Sequence, residues 1–227
     1  MKNILAKGGV EFLAVFLGIG LSLWVDDYRD SVNMKKEIKS SLIALEIEIT
    51  DNIKTLNYIL KRIDFNIGFT EKLLNTDILF KQEVSSKDSI WNASIIPLGN
   101  KLYLNAYNNM VSSSFIYKID DKNLLHDIQT IYEYDIPLFE WWVDYETKFI
   151  EHLDKYIFNN LALKKTGFNW ELDWKSKVTV EGIQTTEFQN IIIGNRANRD
   201  ILKQIAEQLI ESKKGLLNGI KSFRKSL

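Results

Sequence analysis

Residues 38–67 read IKSSLIALEIEITDNIKTLNYILKRIDFNI. Within this stretch Ile38, Leu42, Leu45, Ile49, Ile53, Leu56, Leu60, Ile63 and Ile67 recur in steps of three and four. Steps of that length put side chains on one stripe of a helix with 3.6 residues per turn. The Glu-Ile-Glu-Ile alternation at 46–49 is strand-like, but over only four residues, and the longer period outweighs it. The spacing predicts a long helix over about 31–79 with a seam like that of a coiled coil or bundle helix. Gly68 and Asn75-Thr76-Asp77 are places for a bend or an end.

The same reasoning carries on toward the carboxyl end. Residues 81–100 read as a connection, rich in Ser and Asn and holding Pro97 and Gly99. Further helices are expected at about 101–117, 121–134, 137–163 and 185–226. Asp120-Asp121 suits the cap of the second, Pro137 the first turn of the third, and Thr185 or Thr186 the cap of the last, with Glu187 behind it. Residues 164–184 are irregular, and Lys177-Val178-Thr179-Val180 reads as one short strand. Pro97 and Pro137 are the only two prolines, a scarcity that favours long helices over an all-β chain. The expected fold class is all-α, with a multi-helix bundle as its body.

Toward the amino end, Phe12 to Val25 read FLAVFLGIGLSLWV, fourteen residues without a charge. Residues 8–27 are expected to form a transmembrane anchor, between a short flank at 1–7 and a helical domain at 28–227, and its helix is expected to continue without a break into the long helix. The run is at the short end of what a bilayer needs, about 20 apolar residues, and Trp24 suits an interfacial belt. The rival readings are a cleaved signal peptide, against which no small-x-small site follows the run, and a buried helix. Lys2 and Lys7 precede the run and Asp26, Asp27, Arg29 and Asp30 open the far side. That immediate contrast sets the expectation of an extracytoplasmic body, against the pull of Lys35, Lys36 and Lys39 in the wider flank. Glu11 has two readings: an ionisable group at work within the membrane, or a carboxylate at the headgroups beside Lys7. Gly18, Gly20 and Ser22 make a small face that another helix could approach.

Composition and motifs bound the function. With 29 Lys+Arg against 30 Asp+Glu, no global field recruits nucleic acid. Cysteine is absent, which excludes disulfides, thiolate metal sites and cysteine nucleophiles. No phosphate-cradling glycine loop, His-Glu-x-x-His or Gly-x-Ser-x-Gly is present, and His126 and His152 have no ligand spacing. No enzyme activity, cofactor or metal is expected. Trp141, Trp142 and Tyr145 form an aromatic stripe, read as core or as the wall of a ligand pocket. Lys213, Lys214, Lys221, Arg224 and Lys225 make a basic end that either complements its own helix dipole or meets anionic lipid. The leading reading is a noncatalytic module tethered to the bilayer that binds protein partners or forms homo-oligomers. A channel-like assembly around Glu11 and a ligand-sensing domain are the alternatives.

Three stretches carry a resemblance. They are Glu11-Phe12-Leu13 through Gly18-Ile19-Gly20-Leu21 to Trp24, followed by Lys35-Lys36-Glu37; Asn105-Ala106-Tyr107 through Ser112-Ser113-Ser114; and Leu124-Leu125 with Tyr132-Glu133. On these the chain resembles a group of bacterial single-pass membrane proteins defined only as a domain of unknown function. Ser114 stands where that pattern has glycine, and residues 164–184 match nothing in it. The resemblance implies an anchor in the bacterial inner membrane and an all-helical domain. It implies no activity.

Overall fold

The computed structural model describes residues 2–83, 87, 98, 101–166 and 169–227, with side chains from Val15 onward apart from Ile78, Thr166, Asn169 and Trp170. Its elements are α1 (Lys2–Leu74), α2 (Thr76–Phe80), α3 (Asn105–Ser112), a 3-10 turn (Ile116–Lys118), α4 (Lys122–Gln129), a π-helical turn (Thr130–Asp135), α5 (Ile136–Asn160), β1 (Leu163–Thr166), β2 (Asn169–Leu172), α6 (Lys177–Ile183) and α7 (Thr186–Ser226).

α1 is 73 residues long, on the order of 110 Å at 1.5 Å per residue. Its interior stripe is the expected one: Ile38, Leu42, Leu45, Ile49, Leu56 and Ile63 are buried, and Ile53, Leu60 and Ile67 are partly so. The helix ends at Asn75 and passes through Gly68 without a break. It also runs without a break from the amino-terminal apolar run into this stripe, the helix continuity expected from the sequence, because nothing in 28–36 interrupts it.

α7 runs antiparallel against α1. Ion pairs set the register: Glu71 with Arg196 at 2.7 Å, Asp64 with Lys203 at 2.6 Å, and Glu46 with Arg224 at 2.7 Å. The interior edge of α7 steps 4-3-4-3 through Phe188, Ile192, Asn195, Arg199, Leu202, Ala206, Leu209, Lys213, Leu216 and Ile220, all buried. That is heptad spacing, which keeps one seam facing a long partner helix. α5 packs on the same side of α7, so α1, α5 and α7 enclose the core.

Caps form where their residue types foretell them. The Asp121 carboxylate accepts from the Asn123 and Leu124 N–H groups, each at 3.0 Å, and Thr185 Oγ1 accepts from Phe188 N at 3.2 Å. Ser114 takes φ 61° at the end of α3, a left-handed conformation that glycine adopts more cheaply.

Several expectations need correction. The break expected at Tyr134-Asp135 is a π-helical turn, so α4 continues through it into α5. The helix expected over 101–117 is confined to 105–112. The β-branched Val178-Thr179-Val180 lies in helix α6, where Thr179 and Ile183 are buried. Tertiary burial there overrides a modest strand propensity. The strands are instead β1 and β2, an antiparallel hairpin pairing Leu163 with Leu172 and Lys165 with Trp170. Most of the connection expected at 81–100 lies outside the described residues.

The membrane span is the largest difference. Among the described residues no helix is long and apolar enough to cross a membrane. The apolar run counted from residue 8 begins before Val15, the first described side chain, and Glu11 lies outside the described side chains. The fold therefore establishes the helical body, and it does not establish a span over 8–27. What it does display is a projecting helix. From Val15 to Glu37 every side chain is exposed, including Phe16, Leu17, Ile19, Leu21, Leu23 and Trp24.

Candidate functional site

The interior edge of α7 carries polar residues at two levels, and these two levels are the candidate sites. At the first, Arg199 and Glu146 meet at 2.7 Å with side chains 0% and 1% exposed. The other Glu146 oxygen accepts the Leu98 N–H at 3.0 Å, and Leu98 O accepts from Arg62 at 2.9 Å. Asn66, Thr70, Asn195 and Asn198 are buried at the same level. The register places Asn66 of α1 against this part of α7, between the Asp64–Lys203 and Glu71–Arg196 pairs. Among the described residues the amide nitrogen of Asn66, the amide oxygen of Asn195 and both side-chain heteroatoms of Asn198 find no hydrogen bond. This layer divides the apolar interior into two clusters. One is built on Ile38–Ile63 and Leu202–Ile220, the other on Leu73, Leu153, Tyr156, Phe188 and Ile192.

At the second level Lys213 is fully buried, and its ammonium lies 4.8 Å from the centre of the Tyr132 ring. Burial pushes its pKa down to about 8, against the opposing pull of the Glu48 and Asp135 carboxylates. Tyr132 stacks on Tyr107 with ring centres 4.5 Å apart, and the Tyr107 hydroxyl donates to Glu133 at 2.5 Å. Both phenols are held well above the ordinary tyrosine range, first by burial, then by the neighbouring carboxylates Glu133 (for Tyr107) and Glu48 (for Tyr132). Burial also raises Asp135, which Lys213 partly offsets. Tyr132, Glu133 and Asp135 all lie on the π-helical turn, a rare geometry often kept where side chains must be re-aimed.

Glu48 ties this centre to the chain that crosses it. Its carboxylate accepts the Ala106 N–H at 2.6 Å and the Tyr107 N–H at 3.4 Å, at the start of α3, where a negative charge suits the helix N-terminus. One turn on, Asn52 exchanges two hydrogen bonds with the backbone of Tyr103, at 2.8 and 2.7 Å. A cleft of about 560 Å³ opens beside the centre, lined by Asp135, Leu138, Glu207, Gln208, Glu211 and Ser212. Lys213 itself has no exposed surface, so its amine acts as an internal charge and meets no reagent in the cleft.

The residues singled out from the sequence do not converge. Gly18 and Gly20 have open space around them, and Ser22 and Trp24 are exposed, with Trp24 stacked on Tyr28. Trp141 is 54% exposed and stacks on Tyr145 with ring centres 5.4 Å apart. Trp142 turns toward the core. A second cleft, of about 740 Å³, is lined instead by His152, Lys155, Asn159, Glu187 and Asn190. Of the expected lipid-contacting residues, burial removes Lys213. Lys214 pairs with Glu211 at 2.6 Å and Arg224 with Glu46, while Lys221 and Lys225 are exposed. Among the described residues no group of three His, Asp or Glu could hold a metal ion.

Set beside known protein families, curated proteins and solved structures, the chain finds no match in any of the three comparisons.

Proposed function

We propose that the chain is a noncatalytic, membrane-anchored helical module that engages protein partners through its body. Residues 8–27 would lie in a bacterial inner membrane and the body on its extracytoplasmic side. The observation that carries this reading is the projecting part of α1. Val15, Phe16, Leu17, Ile19, Leu21 and Leu23 surround the helix, and each is more than half exposed. A helix that is apolar all round needs an apolar medium on every side, and the body leaves this part of it uncovered. Asp26, Asp27 and Arg29 then mark the return to water.

Alkaline carbonate extraction of membranes from expressing cells tests the anchor. The unmodified protein is expected in the pellet. A Leu17→Asp, Leu21→Asp variant is expected in the supernatant with unchanged helical circular dichroism. Recovery of the unmodified protein in the supernatant would refute the anchor. The chain has no cysteine, so a Lys122→Cys variant reports orientation directly. Labelling of intact spheroplasts by an impermeant maleimide is expected, and labelling only after lysis would reverse the assignment.

A further inference from the structure

The body-side half of α1 has a second face. Val32, Ile43, Ile47, Tyr58 and Phe65 are large, apolar and 41–58% exposed. Lys36, Lys39, Lys54, Lys61 and Lys72 are exposed beside them. At 3.6 residues per turn these ten side chains fall within an arc of about 100°, opposite the buried stripe, and the arc runs for roughly 60 Å. No acidic residue lies inside it. The acids on its borders are already engaged, Asp64 with Lys203, Glu46 with Arg224, and Asp51 at 2.9 Å with Lys54, so that Lys36, Lys39, Lys61 and Lys72 carry the positive charge of the face. A shallow groove of about 380 Å³ runs beside Ile43 and Ile47, between α1 and Leu217 and Lys221 of α7, with Lys54 and the cation-paired carboxylates Glu46 and Asp51 also along it.

We propose that this outer face of α1 docks an acidic amphipathic helix of a partner protein. Apolar anchors on the partner would meet Ile43, Ile47, Tyr58 and Phe65 at helical spacing, and carboxylates flanking them would meet the lysines. Two other occupants fit less well. Lipid cannot lie along the face, because α1 is one helix and its amino-terminal part crosses the bilayer, an argument that rests on the proposed anchor. A second copy in the same membrane would run parallel, setting Lys36, Lys39 and Lys61 against their own equivalents.

The test uses the full chain in nanodiscs and two synthetic amphipathic helical peptides with the same leucine face. One carries only Glu on its polar face, the other only Lys. By fluorescence anisotropy the Glu peptide is expected to bind at least about tenfold more tightly, with affinity falling as salt rises. Ile47→Asp with Phe65→Asp should abolish binding, and Lys54→Glu with Lys61→Glu should invert the preference. A photoreactive residue at Ile47, activated in native membranes, should give adducts mapping to an acidic helical segment of another protein. Equal binding of the two peptides, binding of neither, or adducts to a second copy or to lipid would overturn the proposal. Carbonate extraction of the same samples separates the two readings. Retention without peptide selectivity removes the docking face alone, and selectivity without retention removes the anchor alone.

Discussion

Arg199 and Lys213 are two buried cations on one edge of one helix, and the protein treats them differently. Arg199 is matched to a carboxylate at 2.7 Å, which is itself held by a backbone N–H. Among the described residues Lys213 has no hydrogen bond to its ammonium and meets an aromatic face and two carboxylates at longer range. A planar guanidinium forms directed, buried pairs, whereas a lysine ammonium gives up its proton more readily when desolvated. The first cation should therefore act as a fixed joint between α5 and α7, and the second as a charge whose cost depends on pH.

Breaking the joint should produce the largest effect. Glu146→Leu removes the carboxylate paired with the buried Arg199 charge and should lower stability by about 3–5 kcal/mol. Adding Arg199→Met should recover much of that loss, which chemical denaturation will show. Retention of full stability by the single variant would mean that the Glu146–Arg199 pair is not a fixed joint.

The pH dependence follows next. The folded pKa of Lys213 is depressed to about 8 from 10.5, so the unfolded chain binds more protons between those values. The penalty for burying the charge is complete below pH 8 and is relieved as pH rises toward 10.5. The contribution is on the order of 3 kcal/mol. Stability measured from pH 7 to 10 should rise through this window, and Lys213→Met should flatten the rise while stabilising the protein at pH 7. A smaller change is expected for Glu48→Gln, roughly 1–2 kcal/mol, from weakening the charge-assisted start of α3. It should also lower the Lys213 pKa further, because a charge that favours the ammonium is gone.

The smallest effect should come from a third cation on the same helix. Arg196 pairs with Glu71 at 2.7 Å, but both side chains are substantially exposed. Arg196→Met should alter stability by no more than about 0.5 kcal/mol in thermal unfolding. A loss as large as that of Glu146→Leu would mean that burial is not what separates the three.

The legible parts of the fold were those whose signals are local. The stripe from Ile38 to Ile67 announces α1, and Asp121 and Thr185 announce helix starts, because cap and period act within a turn or two. Lys213 was also within reach. Its steps of four from Leu209 and three to Leu216 put it on the apolar edge, yet the run of nearby lysines made it read as surface. The Glu146–Arg199 pair spans 53 residues and leaves no mark in either local sequence. The π-helical turn was hidden for another reason, since Pro137 signals a helix start just as well within a continuing helix. The hairpin at 163–172 depends on pairing between segments that are individually nondescript.

That π-helical turn has a consequence for the length of the chain. Leu124, Ile128, Tyr132 and Ile136 all reach the core in three successive strides of four, longer than the helical pitch sustains. One surplus residue absorbs the mismatch. Removing any single residue between Thr130 and Asp135 would let α4 and α5 fuse as an uninterrupted α-helix. Everything beyond would keep its face, because the turn had already absorbed that residue, so Glu146 would stay on the Arg199 side while Tyr132, Glu133 and Asp135 would lose the geometry that aims them. A second inserted residue would have no such outlet and would turn everything beyond by about 100°, carrying Glu146 away from Arg199.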